Sequence, residues 1–301
     1  MKFEGVYPIL PTPFHEDESL DLDSMRQLVS FMGRLGVDGI TVLGVLGEAN
    51  RLTDHEREAV VRSAVAAASG LPVIVGASAS GTRAAAELAI MAHALGASAV
   101  MVTPHAEPVP SDERVLAYFA AISRAMPLPI VLQDHPASSG VHMPVPLLLR
   151  VIDEVPSVAC IKEEAVPTPP KIRALAAGAR RRVPLLTGLG ALYGLFDLQA
   201  GSDGFNTGFA FPEALVALRT AAKSGDWTRA GEIYRRFLPL IVFEQQPGVA
   251  IRKEILRRRG AIAGNRVRHP GASIDAETAK QLQRLIDALL PGHDPAQPLR
   301  L

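Results

Sequence analysis

Lys162 stands at the end of the short apolar run 158–161 (VACI), and its setting suits covalent chemistry. Successive side chains of an extended segment alternate, which puts Val158, Cys160 and Lys162 on one face and Ala159, Ile161 and Glu163 on the other. If the first set points into a core, the amine sits at the mouth of an apolar strand. Desolvation there favours the neutral form that attacks a carbonyl. The plain alternative is a strand-end lysine paired with Glu163 or Glu164. Acid–base candidates lie earlier in the chain. His135 follows Gln133 by two residues and so shares its face, while His105 falls on another loop. Histidine titrates near neutral pH, which suits proton transfer, and Asp134 is adjacent to orient one of the two. The alternative for both is an exposed loop histidine without a role. Glu48, His105, Asp134 and His135 together offer the ligand types of a metal-dependent aldolase, but not the helical or short-loop spacing of a ligand set. Glu48 reads better as a structural carboxylate, and no metal or cofactor is expected. Gly188, Gly190 and Gly194 resemble a dinucleotide loop only superficially, because the spacing is wrong and they follow a late apolar run. Gly188 reads instead as a point where substrate approaches the backbone.

Residues so scattered need a frame to bring them together. Short runs rich in β-branched residues recur at 6–10, 39–43, 72–75, 99–103, 129–132, 158–161, 183–186 and 203–206. Continuous apolar runs of this kind mark parallel strands covered on both faces. Amphipathic segments alternate with them. Thr53 and Glu56 form a capping box, Asp21 and Ser111 open other helices, and Gly36, Gly70 and Gly96 stop helices where a left-handed residue is wanted. Eight strands alternating with eight helices predict a (β/α)8 TIM barrel, with an open doubly wound sheet as the rival. After residue 225 the strand pattern ceases, and 227–243, 249–259 and 276–289 read as helices. The expected organisation is therefore a barrel over 1–225 and a helical extension over 226–301, packed on the barrel or building a subunit contact, with 291–301 as a loose end.

Composition narrows the partners. The 301 residues are 48% hydrophobic, and 31 Lys plus Arg balance 31 Asp plus Glu. No net field draws the chain to nucleic acid or an anionic membrane. The basic runs 180–182 and 257–259 read as solvated helix ends. One cysteine, Cys160, excludes an internal disulfide. Residues 1–10 lack a signal-peptide core, and no apolar stretch is long enough to span a bilayer. A cytoplasmic enzyme is expected.

Several stretches, in order, resemble the dihydrodipicolinate synthase and N-acetylneuraminate lyase family of Schiff-base barrels. They are 11–14 (PTPF), 44–48 (GVLGE) with 52–57 (LTDHER), 102–104 (VTP), Pro136 to Gly140, 161–163 (IKE), Thr187 with Gly188, and 253–260 with 267–270 (VRHP). The resemblance implies a barrel in which Lys162 forms an imine with a small 2-oxo acid such as pyruvate, in an aldolase, dehydratase or synthase reaction. It implies homo-oligomers, usually homotetramers built from dimers. It places substrate at Val45, Leu46, His105, Ser138, Gly188 and Phe205.

The departures are as informative as the match. Val45 and Leu46 replace two hydroxyl residues that hold the substrate carboxylate and relay a proton. Their backbone amides keep the capacity to bind a carboxylate. Gln133 occupies the position of the family tyrosine, and glutamine is no acid or base. His105 and Ala106 replace tyrosines, and Ser138 stands where the synthases place an arginine for the second substrate. His135 is the candidate replacement acid. The leading expectation is a Schiff-base lyase on a 2-oxo acid. The runner-up is 4-hydroxy-tetrahydrodipicolinate synthase proper, and a catalytically silent barrel that binds a small carboxylate is a third reading.

Overall fold

The computed structural model describes residues 1–108, 111–246 and 248–301. The β-branched runs become eight parallel strands: β1 (Gly5–Val6), β2 (Ile40–Val42), β3 (Val73–Gly76), β4 (Ala99–Val102), β5 (Ile130–Asp134), β6 (Val158–Glu163), β7 (Leu185–Thr187) and β8 (Gly204–Phe205). Their order is β1-β8-β7-β6-β5-β4-β3-β2, and a parallel bridge from Ile9 to Thr41 joins the chain after β1 to β2. Leu10 N–H donates to Thr41 O at 2.8 Å, and Thr41 N–H donates to Pro8 O at 2.8 Å. The sheet therefore meets itself as a closed (β/α)8 barrel, and the doubly wound rival is excluded.

The intervening helices are α1 (Leu22–Arg34), α2 (Asp54–Ala67), α3 (Thr82–Ala94), α4 (Asp112–Ala125), α5 (Pro136–Ser139), α6 (Val145–Glu154), α7 (Thr168–Gly178), α8 (Gly194–Gln199) and α9 (Pro212–Lys223). Their starts follow the local chemistry. Thr53 and Glu56 exchange both bonds of a capping box at α2, and the Asp21 carboxylate accepts from Ser24 N–H at α1. Ser111 precedes α4, but its side chain makes no cap bond. Gly36, Gly70 and Gly96 all take the left-handed conformation. The chain ends in α10 (Trp227–Phe243), α11 (Val249–Arg258) and α12 (Ala276–Leu289), with α10 lying on α8, α9 and α12.

Two hydrophobic layers result. Phe3, Tyr7, Ile74, Met101, Val131, Cys160 and Leu186 fill the barrel, while a larger layer lies between strands and helices. One expected face is wrong. Val158 belongs to the outer layer, and Ala159 packs against the interior with Cys160. The cause is a register shift between Ile130 and Val131, where β6 gains a residue against β5 and the alternation slips by one. Above the shift the alternation resumes, so Lys162 still points inward.

The C-terminal segment corrects two further expectations. Arg259 is not solvated. It is 1% exposed, lies over Phe211 and Phe31, and pairs with Glu213 at 2.5 Å. Nor do residues 291–301 hang free: Pro295 O accepts from Arg259 Nε at 3.0 Å, and Leu299 and Leu301 pack against the core. No helix among the described residues is long and apolar enough to cross a membrane.

Candidate active site

β5 and β6 place the chemistry. Gln133 and Lys162 are direct register partners, one step beyond Val131 and Cys160 in the interior layer, so both side chains project inside at the C-terminal end of the barrel. Asp134 and Glu163, the next pair, face the outer layer. Lys162 is 2% exposed, and its Nζ lies 3.0 Å from Oε2 of Glu164. The same oxygen accepts from Gln133 Nε2 at 2.6 Å, and Oε1 accepts from Leu189 N–H at 2.9 Å. Burial pushes the Glu164 carboxyl up, but the charges of Lys162 and His135 and these two N–H donors outweigh it, holding it below the usual carboxylate range. The arrangement is a dry lysine–carboxylate pair in which the carboxylate has three donors.

The loop after β7 is shaped to make this contact. Leu189 and Ala191 flank Gly190, and all three have positive φ, 49°, 67° and 66°. Left-handed leucine and alanine cost energy, and such strain is held where function needs it. Here it turns the Leu189 N–H onto Glu164. The glycine at 188 leaves room for the Glu164 side chain, since a Cβ there would lie 2.1 Å from its Oε1.

The other expected site residues divide. Val45 is 58% exposed at the rim, in the turn Val45–Gly47 after β2. Leu46 reaches Gly208, where a Cβ would lie 2.2 Å from its Cδ1. The N–H groups of Val45 and Leu46 find no acceptor among the described residues. Phe205 faces away from the site. It is fully buried in the outer layer with its ring against Gly194 of α8. Asn206, which the sequence reading passed over, takes the inward position. Its amide donates to Tyr7 O at 3.1 Å and Thr41 Oγ1 at 2.7 Å, and its Oδ1 is buried without a donor. Alternation from Phe205 was the available signal.

His135 Nδ1 lies 2.6 Å from Ser138 Oγ, at the start of α5. His105 is exposed in a cleft of about 880 Å³ between the loop after β4 and α4. Asp134 orients neither histidine. It points to the outer side, where it pairs with Lys171. Glu48 pairs with Lys253 and Arg51, Asp134 with Lys171 and His135 with Ser138, while His105 is exposed, so the four residues weighed as metal ligands do not converge.

A closed parallel barrel with a buried lysine on the inner face of β6 is the frame of an aldolase-type lyase. Residues 2–289 match the model of the Dihydrodipicolinate synthetase family, so the chain belongs to that family and is a lyase. It is 33% identical over 296 residues to the L-2-keto-3-deoxyarabonate dehydratase of Azospirillum brasilense, with 96% of each chain covered. The crystal structure of dihydrodipicolinate synthase from Rhodopseudomonas palustris matches with a TM-score of 0.90 at 34% identity, covering 95% of this chain and 97% of that one. A prophage protein of the dihydrodipicolinic acid synthase family from E. coli K12, solved in complex with pyruvate, matches with a TM-score of 0.88 at 26% identity, covering 95% and 98%.

Proposed function

We propose that the protein is a Schiff-base lyase in which Lys162 forms an imine with the ketone of a small 2-oxo acid, pyruvate or a 2-oxo-3-deoxy sugar acid. One observation carries the reading. Lys162 is an inward-facing buried lysine at the C-terminal end of a barrel strand, and its ion-pair partner is Glu164, a group able to take its proton. The protonated imine then serves as an electron sink for loss of water or for carbon–carbon cleavage. The amides of Val45 and Leu46 supply donors for the substrate carboxylate.

A dehydratase or aldolase suits the site better than 4-hydroxy-tetrahydrodipicolinate synthesis. No hydroxyl stands at 45 or 46, no phenol at 133, and Ser138 is spent on His135 where a second substrate's carboxylate would need a cation. The dehydratase from Azospirillum brasilense supports the same choice. The test is incubation with pyruvate, reduction with borohydride and peptide mass mapping. The expected result is one adduct, on the peptide holding Lys162, and none in Lys162→Ala. An unmodified parent protein would overturn the reading and leave the silent barrel. The cleft beside His105 is the proposed surface for self-association, as a dimer or tetramer.

A further inference from the structure

We propose that Glu164 is the acid–base group of this site, taking the proton that frees the Lys162 amine and returning it to the oxygen that leaves as water. The inference rests on the imine reading above and assigns its proton transfers. Imine formation from an ammonium has no net proton change, but it needs a carrier. The ammonium first passes one proton across the 3.0 Å contact to Oε2, giving a neutral amine and a neutral acid. The amine attacks the ketone carbon; the C–N bond forms as the C=O π pair moves to oxygen. Glu164 protonates that oxygen and, as a carboxylate again, accepts a proton from the nitrogen, leaving the neutral carbinolamine. It then donates that proton to the hydroxyl. The C–O bond breaks, water departs, and the nitrogen lone pair completes the iminium. The charge that began on the ammonium ends on the iminium, beside the restored carboxylate.

Three features single out Glu164 for this duty. It lies within proton-transfer distance of the reacting nitrogen, the geometry a general acid or base must meet before any other. It is held by two N–H donors from separate strands' ends, Gln133 and Leu189, so it is preorganised in a site that excludes water. And the chain leaves it room: a Cβ on Gly188 would fall 2.1 Å from Oε1. Gln133 is a positioning residue, since its amide aims the carboxylate without exchanging a proton. His135, the candidate from sequence, is bound to Ser138 and reaches Glu164 through charge alone.

The rival role for Glu164 is to hold the ammonium's charge, and the two roles predict opposite outcomes. If the carboxylate only neutralises charge, Glu164→Gln frees the amine and imine formation at neutral pH speeds up. If it carries the proton, the same variant slows borohydride-trapped imine formation about a hundredfold or more, with the adduct still on Lys162. Glu164→Ala should be slow as well and should recover rate in millimolar formate, which a structural loss would not do. Gly188→Ala, which leaves the carboxyl chemically intact but displaces it, should slow trapping in the same direction. Trapping by Glu164→Gln at or above the parental rate overturns the proposal while leaving the lysine assignment in place. So do a folded Glu164→Ala that is deaf to formate and a folded Gly188→Ala at parental rate. A parent protein that forms no adduct at Lys162 overturns both.

Discussion

Oε1 of Glu48 lies 2.6 Å from Nζ of Lys253, and both side chains are sealed from solvent. The pair ties the loop after β2 to α11. Lys253 also donates to Arg266 O at 2.6 Å and sits 4.4 Å over the Phe14 ring, while Glu48 takes Arg51 at 2.6 Å and Arg268 N–H at 3.0 Å. The barrel thus holds two buried lysines with different surroundings. One is boxed in by a carboxylate, a carbonyl and an aromatic face; the other meets a carboxylate at the mouth of the barrel.

Removing Lys253 takes one cation from the buried Glu48 carboxylate and leaves it Arg51 and the Arg268 N–H. Lys253→Met should therefore destabilise the fold by roughly 1.5–3 kcal/mol, the scale of one lost hydrogen bond to a charged group, measured by urea denaturation. Burial pulls Lys253 down to about 8 despite Glu48, so its amine is chemically available near neutral pH but sterically enclosed. Pyruvate with borohydride should label Lys162 and leave Lys253 unmodified. An adduct on Lys253 would count against the enclosure argument.

A second buried cluster contributes to the pH dependence of stability. Burial and the neighbouring Asp134 push Glu163 up to about 8, and burial raises Asp134 as well although it pairs with Lys171. Asp134 Oδ1 and Glu163 Oε2 are the two buried oxygens here without another donor. One proton between them satisfies both. The folded state therefore binds a proton that the unfolded chain releases near its ordinary value of 4.5, so the stability it contributes is full below that value and is lost as pH rises toward about 8. The slope that this shared proton adds should be at most about 1.4 kcal/mol per pH unit. Glu163→Gln, whose amide can donate to Asp134 permanently, should flatten it and exceed the parent in stability at alkaline pH. Parallel denaturation curves for the two proteins at acid and alkaline pH would contradict this.

Much of this was legible in the chain, and the losses have identifiable causes. The β-branched runs, the Thr53–Glu56 box and the left-handed glycines define the barrel because each is a local rule. Lys162 was legible because its position relative to the end of the run survives the irregularity in β6. Val158 was misplaced because one extra residue opposite Ile130 and Val131 inverts alternation, and nothing local announces it. Arg259 looked solvated because a run of arginines gives no sign of the Phe31 and Phe211 faces that receive it. Glu164 was visible only as one of two possible partners of Lys162. Its selection needs the loop after β7, which adjacency in the sheet supplies.

Gln133 tests the positioning of that carboxylate. Gln133→Leu deletes a donor at 2.6 Å to the charged form of Glu164. A hydrogen bond to a charged group favours the charged form, so losing this one should raise the carboxyl. The acid limb of the trapping rate against pH should shift upward, with Lys162 still labelled. A limb that stays in place would separate Gln133 from the proton carrier.

Self-association is the last expectation. The cleft between the loop after β4 and α4 is lined by Pro104, Ala106, Val115, Tyr118, Val141 and Leu147 among others, with His105 exposed beside it. Polar and charged residues, Glu107, Asp112 and Arg124 among them, line it as well, and a mixed concave surface of this kind suits a second copy of the chain. Light scattering at micromolar concentration should show at least a dimer, and Ala106→Glu should lower the measured mass by placing a charge in the contact. The two properties should then come apart. The side chains and N–H groups found around Lys162, those of Glu164, Gln133 and Leu189, belong to the same chain. The dissociated variant should form the Lys162 adduct at the parental rate. A parent that scatters as a monomer would remove the cleft from consideration as an interface. A dissociated variant that no longer traps would show instead that the partner completes the site.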